Sequence, residues 1–230
     1  MIIKNDWSME ERTKIINFKN KYIDLYPDYL QNEINSKLLF GITNDNDIIN
    51  QIYAYLELIP DEINPYLGFL EHLKQYFNLK KINILEIGSG CIPMLAFYIY
   101  DLYKNKIDIQ EPNIIFSNII KGNIFKEKFT ETTNIDKYDL IIGFNPCSAT
   151  ESMIKNAIKN NKNFSIALCG CCFLPDEFIE RNSEKWHEYL FKLAKDLGKD
   201  NYEIVMSTFP INYQRKEPII TGIYKKSMSK

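Results

Sequence analysis

The sequence predicts a doubly wound α/β fold, with a mostly parallel sheet of seven strands and a helical region before it. Three observations predict it. Residues 1–80 carry helical periodicity, with no run that reads as a strand. From Lys81 onward short apolar runs alternate with helical patterns, the signature of repeated βαβ units. Near the end, two apolar runs flank the turn-rich stretch 210–218, as in a hairpin that adds one antiparallel strand at the end of the order. Residues 1–80 therefore form the predicted helical region and residues 81–230 the predicted sheet domain.

The helices follow from local signals. Ser8-Met9-Glu10-Glu11 is a capping box and opens a helix to about Lys19. Pro27 opens a second, running toward Gly41. In the third, 47–58, Ile48, Ile49, Ile52, Tyr55 and Leu56 recur at helical spacing, and Pro60 ends it. Pro65 starts a fourth, with Leu67, Leu70, Leu73 and Phe77 on one stripe. The predicted strands are 82–87, 106–110, 118–121, 138–144, 164–169, 202–208 and 219–224. Between them, 93–103 and 183–197 read as helices, and Ser148-Ala149-Thr150-Glu151 reads as a capping box opening a third to about Asn160.

Composition excludes several classes. Hydrophobic residues make up 45% of the 230, enough for a well-buried core. The net charge is −2 and there is no long basic run, so nucleic acid is not the favoured partner. No stretch reaches the roughly 18 apolar residues of a membrane span. The N-terminus turns polar too soon for a signal peptide. The five cysteines are odd in number and three crowd one short run, against a disulfide framework. A reduced cytoplasm is the expected location.

The glycine loop carries the chemistry. Glu86-Ile87-Gly88-Ser89-Gly90 lies between a predicted strand and a predicted helix, where open parallel sheets bind ligands. Glycines permit a sharp turn and close backbone approach. The following helix offers unpaired N–H groups and a positive dipole end, which suit the carboxylate of an amino-acid-like ligand. The dinucleotide fingerprint's third glycine is missing, which disfavours NAD. Glu111 follows the second strand, about 20 residues on, where a carboxylate can accept from two ribose hydroxyls.

With an apolar strand, an acidic residue and then Gly-x-Gly, Ile84-Leu85-Glu86-Ile87-Gly88-Ser89-Gly90 resembles the first motif of the class I S-adenosylmethionine-dependent methyltransferases. The resemblance implies their Rossmann-like fold and S-adenosylmethionine as cofactor. It implies that Glu86 organises the loop and the cofactor's methionine end, that Ile87, Gly88, Ser89, Gly90 and Pro93 line it, and that Glu111 holds the ribose. It places the adenine edge near Asn123 and Ile124, with an amide where the family often has an acid. Asn145-Pro146-Cys147 resembles half of the Asn-Pro-Pro-aromatic motif of amino-directed methyltransferases and implies that these three residues, with Asn145 also beside the cofactor, face the transferred methyl. The stacking aromatic is absent.

Asn145-Pro146-Cys147-Ser148-Ala149-Thr150-Glu151, taken with Cys169-Gly170-Cys171-Cys172-Phe173, also resembles a poorly characterised branch of the same superfamily, and the likeness covers about 82–175. The cysteine run has three readings: packed thiols, pocket lining together with Cys147, or metal ligands. Cys-x-Cys-Cys lacks the spacing of zinc sites, and no metal is expected. His72 and His187 fall in helices and read as packed residues.

Three functions fit these residues. The first is methyl transfer to a small-molecule acceptor, with the N-terminal helices as a lid. The second rests on Gly88-Ser89-Gly90-Cys91-Ile92-Pro93, which resembles the loop of nicotianamine-synthase-like enzymes and implies aminocarboxypropyl transfer from the same cofactor. The third is a non-catalytic binding module or partner subunit. The oligomeric state is not legible.

Overall fold

The computed structural model describes residues 7–38, 47–169, 183–210 and 217–225. Four helices come first: α1 (Met9–Tyr22), α2 (Asp28–Lys37), α3 (Asp47–Tyr55) and α4 (Pro65–Lys74). The Ser8 capping box forms as predicted: Glu11 N donates to Ser8 Oγ at 3.2 Å, and Ser8 N to Glu11 Oε2 at 2.7 Å. Asn64 caps α4 by accepting from Tyr66 N at 3.1 Å, with Pro65 at the first helical position.

The sheet follows, as β1 (Ile84–Ile87), β2 (Asp108–Gln110), β3 (Ile124–Phe125), β4 (Leu140–Phe144), β5 (Asn163–Ala167), β6 (Tyr202–Ser207) and β7 (Ile219–Tyr224). Helix α5 (Met94–Tyr103) links β1 to β2, α6 (Thr150–Lys159) links β4 to β5, and α7 (Ser183–Gly198) precedes β6. The strand order is β3-β2-β1-β4-β5-β7-β6. β1 through β5 pair in parallel, and β7 runs antiparallel to both β5 and β6. The antiparallel strand therefore lies inside the order, between β5 and β6, not at its end as expected.

Alternation along the strands sends neighbours to opposite faces. Ile84, Ile142, Ala167 and Ile219 pack with residues of α1–α5, including Ile15, Ile34, Ile52, Phe69 and Leu95. Leu85, Ile141, Phe164 and Ile220 pack with Met153 and Ile154 of α6 and with Trp186 and Leu190 of α7. Burial on both faces is why these strands read as largely apolar runs, with only a few buried polar residues such as Glu86 and Ser165 among them. The N-terminal helices and one face of the sheet thus share a single core.

Two local expectations are corrected. The predicted strand 118–121 is a 3-10 turn, Ser117–Ile119, and the third strand is the two-residue β3 further on. Space for the turn comes from packing: Phe116 stacks on Phe18 of α1 at 5.8 Å and meets Tyr22 at 4.9 Å, so α1 covers this part of the sheet. The predicted capping box at Ser148 does not form. Residues Cys147–Ala149 make a 3-10 turn, the N-cap of α6 is Ala149, and no side chain bonds there. Thr150 Oγ1 instead donates to the Cys147 carbonyl at 2.8 Å.

Candidate functional site at the carboxyl edge of the sheet

The strand order reverses at β1, with β2 on one side and β4 on the other, and the glycine loop leaves β1 at that point. Both glycines are left-handed, with φ of +70° at Gly88 and +71° at Gly90. Each also has a steric reason to lack a side chain. A Cβ on Gly88 would stand 2.7 Å from Pro146 Cα, in the loop after β4. A Cβ on Gly90 would overlap the amide nitrogen of Gln51, on α3. The loop is held between the β4 loop and the N-terminal helices.

Two carboxylates organise it. Glu86, 1% exposed, accepts from Ala96 N in the first turn of α5 at 3.0 Å. Burial pushes its carboxyl up to about 8; the neighbouring charge of Glu111 adds to the rise and the Ala96 N–H opposes it. Glu111 accepts from Gly90 N at 3.1 Å and from Asn113 N at 2.8 Å, and is itself buried. Gly88 N donates to Gln110 O at 3.2 Å, tying the loop to the end of β2. Ser89 and Pro93 are buried, and Pro93 is the N-cap of α5. The Cys91 carbonyl accepts from Ile115 N and Phe116 N, while burial pushes the Cys91 thiol up to about 12.

The predicted methyl-facing residues meet this loop. Asn145 and Cys147 both adopt left-handed backbone, at φ +54° and +49°, with Pro146 buried between them against Gly88. For non-glycine residues that conformation costs about 1–2 kcal/mol each, and it clusters at functional sites. Asn145 N donates to Ala167 O at 2.9 Å, and Cys147 Sγ to Asn145 O at 3.2 Å.

Asn123 and Ile124 do not join them. Asn123 precedes β3 and donates, from N and from Nδ2, to Asp108 Oδ1 at 2.8 and 3.0 Å. Asp108 opens β2 and also accepts from Lys137 at 2.7 Å and Tyr138 at 2.9 Å, ahead of β4, so this cluster marks the amino ends of the strands. Ile124 begins β3 beside Ile109. The misplaced third strand put this pair at the wrong end of the sheet. The positions that follow β3 at the carboxyl edge are Lys126 and Glu127; Glu127 also lines a cleft of about 730 Å³ that runs from Gln110 and Phe125 back to Lys137 and Tyr138 ahead of β4.

The histidines are structural. His72 Nε2 shares a hydrogen with Thr221 Oγ1 at 2.8 Å, and Thr221 Oγ1 meets Ser165 Oγ at 2.8 Å, a buried polar chain that pins α4 to the sheet. His187 Nε2 lies 3.0 Å from the Cys169 carbonyl. Cys171 and Cys172 lie outside the described residues. Among the described residues no group of three His, Cys, Asp or Glu could hold a metal ion, and no helix is long and apolar enough to cross a membrane.

Motif reading missed Gln51. Its side chain, 6% exposed, donates from Nε2 to Ser89 O at 3.0 Å and accepts at Oε1 from Ile92 N at 3.1 Å. One signal was present: Gln51 is a polar residue set within the apolar stripe of α3, beside Ile52 and one turn before Tyr55.

No protein-family model matches the chain. No curated protein matches it. Solved structures do. A point mutant of MtNAS in complex with S-adenosylmethionine is 11% identical, with a TM-score of 0.50 over 97% of this chain and 86% of that one. Magnesium protoporphyrin IX methyltransferase (ChlM) from Synechocystis PCC 6803, with bound S-adenosylmethionine, is 11% identical over 96% of this chain and 100% of its own, with a TM-score of 0.47. A methyltransferase from Pyrococcus furiosus is 16% identical over 70% and 82%, with a TM-score of 0.45. The chain has the class I methyltransferase fold, and its likeness to MtNAS takes in the N-terminal helices as well as the sheet.

Proposed function

We propose that this chain binds S-adenosylmethionine at the Gly88–Gly90 loop and transfers its methyl group to a small-molecule acceptor. The observation that carries the reading is the meeting of two elements at the switch point: Gly88 lies against Pro146, so the loop that would take the cofactor and the loop that would face the methyl touch.

The residues fit such a ligand. A carboxylate offers about four acceptor sites; backbone N–H groups take two on Glu111, leaving about two for vicinal ribose hydroxyls. Glu86 braces the loop from beneath through Ala96 N. Its negative form complements a cationic amino-acid end, so binding draws off its proton near neutral pH. The adenine edge falls to the segment after β3, at Lys126 and Glu127, instead of Asn123. When bound, S-adenosylmethionine supplies an electrophilic methyl on a sulfonium. The chain's own contribution is positional: Asn145, Pro146 and Cys147 hold the acceptor in line with the methyl, where orientation supplies most of the rate. A neutral amine or thiol acceptor needs no strong base, and the net charge of −2 favours a small molecule over nucleic acid.

Calorimetric titration with S-adenosylmethionine and S-adenosylhomocysteine tests the reading, followed by an acceptor screen. Micromolar binding and accumulating S-adenosylhomocysteine are expected. Methylthioadenosine as product would assign aminocarboxypropyl transfer, binding without product a non-catalytic role, and no binding by the folded protein would refute the site.

A further inference from the structure

Gln51 and Glu111 touch opposite ends of one peptide group. The carbonyl of Ser89 accepts from Gln51 Nε2 at 3.0 Å, and the N–H of Gly90, the other half of that peptide, donates to Glu111 Oε2 at 3.1 Å. A peptide unit is planar and trans, so its C=O and N–H point in opposite directions and turn together. Anchoring the carbonyl on α3 therefore aims the N–H at Glu111. The second end of the Gln51 amide accepts from Ile92 N at 3.1 Å and keeps the side chain from rotating. Gln51, Ser89 and Glu111 are all buried, so water does not substitute when one contact is lost. Gly90 itself has to lack a side chain because Gln51 occupies the space.

We infer that Gln51 is a positioning residue for the ribose carboxylate, acting through the Ser89–Gly90 peptide, and that α3 is a built-in part of the nucleoside site. The inference rests on the S-adenosylmethionine reading above for the identity of the ligand. Without the Gln51 donor the peptide is released to flip, its N–H leaves Glu111, and the carboxylate loses the contact that orients it toward ribose hydroxyls. The donor half of the amide carries the effect; the Ile92 contact only steadies it.

The test is a double-mutant cycle on S-adenosylhomocysteine affinity by calorimetry, using Gln51→Met, Gln51→Glu, Glu111→Ala and the double variant Gln51→Met/Glu111→Ala. Thermal unfolding checks that each is folded. Gln51→Met, similar in shape but without hydrogen bonds, is expected to bind about tenfold more weakly, which corresponds to about 1.4 kcal/mol. Gln51→Glu keeps the Ile92 acceptor, and measured above the pH at which its buried carboxyl ionises it lacks the donor, so there it fares no better. The double variant is expected to bind no worse than Glu111→Ala alone, because both changes break the same relay. Effects that multiply, wild-type affinity in Gln51→Met, or rescue by Gln51→Glu would overturn the inference and leave the cofactor reading standing. If the folded wild type binds no S-adenosylhomocysteine, the cofactor reading fails, and amide exchange decides the relay alone. Gly90 N–H should exchange at least tenfold faster in Gln51→Met with the β4 and β5 amides unchanged; equal rates at Gly90 would overturn it.

Discussion

Replacing Gly88 with alanine should damage the protein more than the same change at Gly90, although the two glycines share a backbone conformation. Both sit near φ +70°, where an L-residue costs about 1–2 kcal/mol. The difference lies in what the new methyl meets. At Gly88 it stands 2.7 Å from Pro146 Cα, a backbone atom in a loop already held by the left-handed Asn145 and Cys147, and overpacking of this kind costs about 1–3 kcal/mol. Together these come to about 2–5 kcal/mol for Gly88→Ala. At Gly90 the methyl meets the far end of Gln51, which can swing aside by giving up its bonds to Ser89 and Ile92, so the overlap is relieved in a side chain and no packed backbone has to be pushed away. A domain of this size loses about 2–4 °C in Tm per kcal/mol. Gly88→Ala should therefore unfold about 6–12 °C below wild type, for about 3 kcal/mol lost, and Gly90→Ala well above it. Differential scanning calorimetry with S-adenosylhomocysteine added or withheld measures both; Gly88→Ala should also lose the ligand-induced rise. A Gly88→Ala protein as stable as Gly90→Ala would refute the argument that the two loops are in contact.

Three further outcomes are expected. Glu86 titrates near 8 when folded and near 4.5 when unfolded, so its contribution is fully present below about pH 4.5 and is lost as pH rises through 8; Glu86→Gln should thus gain stability over wild type across pH 5–8, read as a widening Tm gap, and a constant gap would contradict the burial argument. His72 runs the other way: burial lowers it to about 4, so its contribution is present above pH 6.5 and fades as pH falls toward 4, a slope that His72→Gln should flatten in acid denaturation curves. Thr221→Val, which takes the partner from His72 Nε2 and from Ser165 Oγ, should cost about 1–3 kcal/mol in urea unfolding, with no change in S-adenosylhomocysteine affinity.

Much of the fold was readable because the signals are local. Ser8 and Glu11 are three residues apart and cap a helix wherever they stand. The runs around Ile84, Leu140 and Phe164 are mostly apolar because both faces of a parallel strand are covered. The third strand was not readable, since two residues carry no period and Phe116 draws its preceding turn onto α1. That single slip placed the expected adenine contact at Asn123, which stands beside Asp108 at the amino edge of the sheet. Ser148 shows the same limit: the capping pattern is present, but the left-handed Cys147 turns the chain into a 3-10 turn and the helix starts later.

By itself the sequence determined the α/β class, the glycine loop, and the acidic residues at its base and after β2, because each depends on residues next to one another in the chain. Only the tertiary structure decided why the glycines are needed, with Pro146 against one and Gln51 against the other, and that the N-terminal helices help build the loop they were expected to cover. Those contacts join residues 38 to 58 positions apart, and such pairings arise from packing geometry, which no local pattern of side chains records.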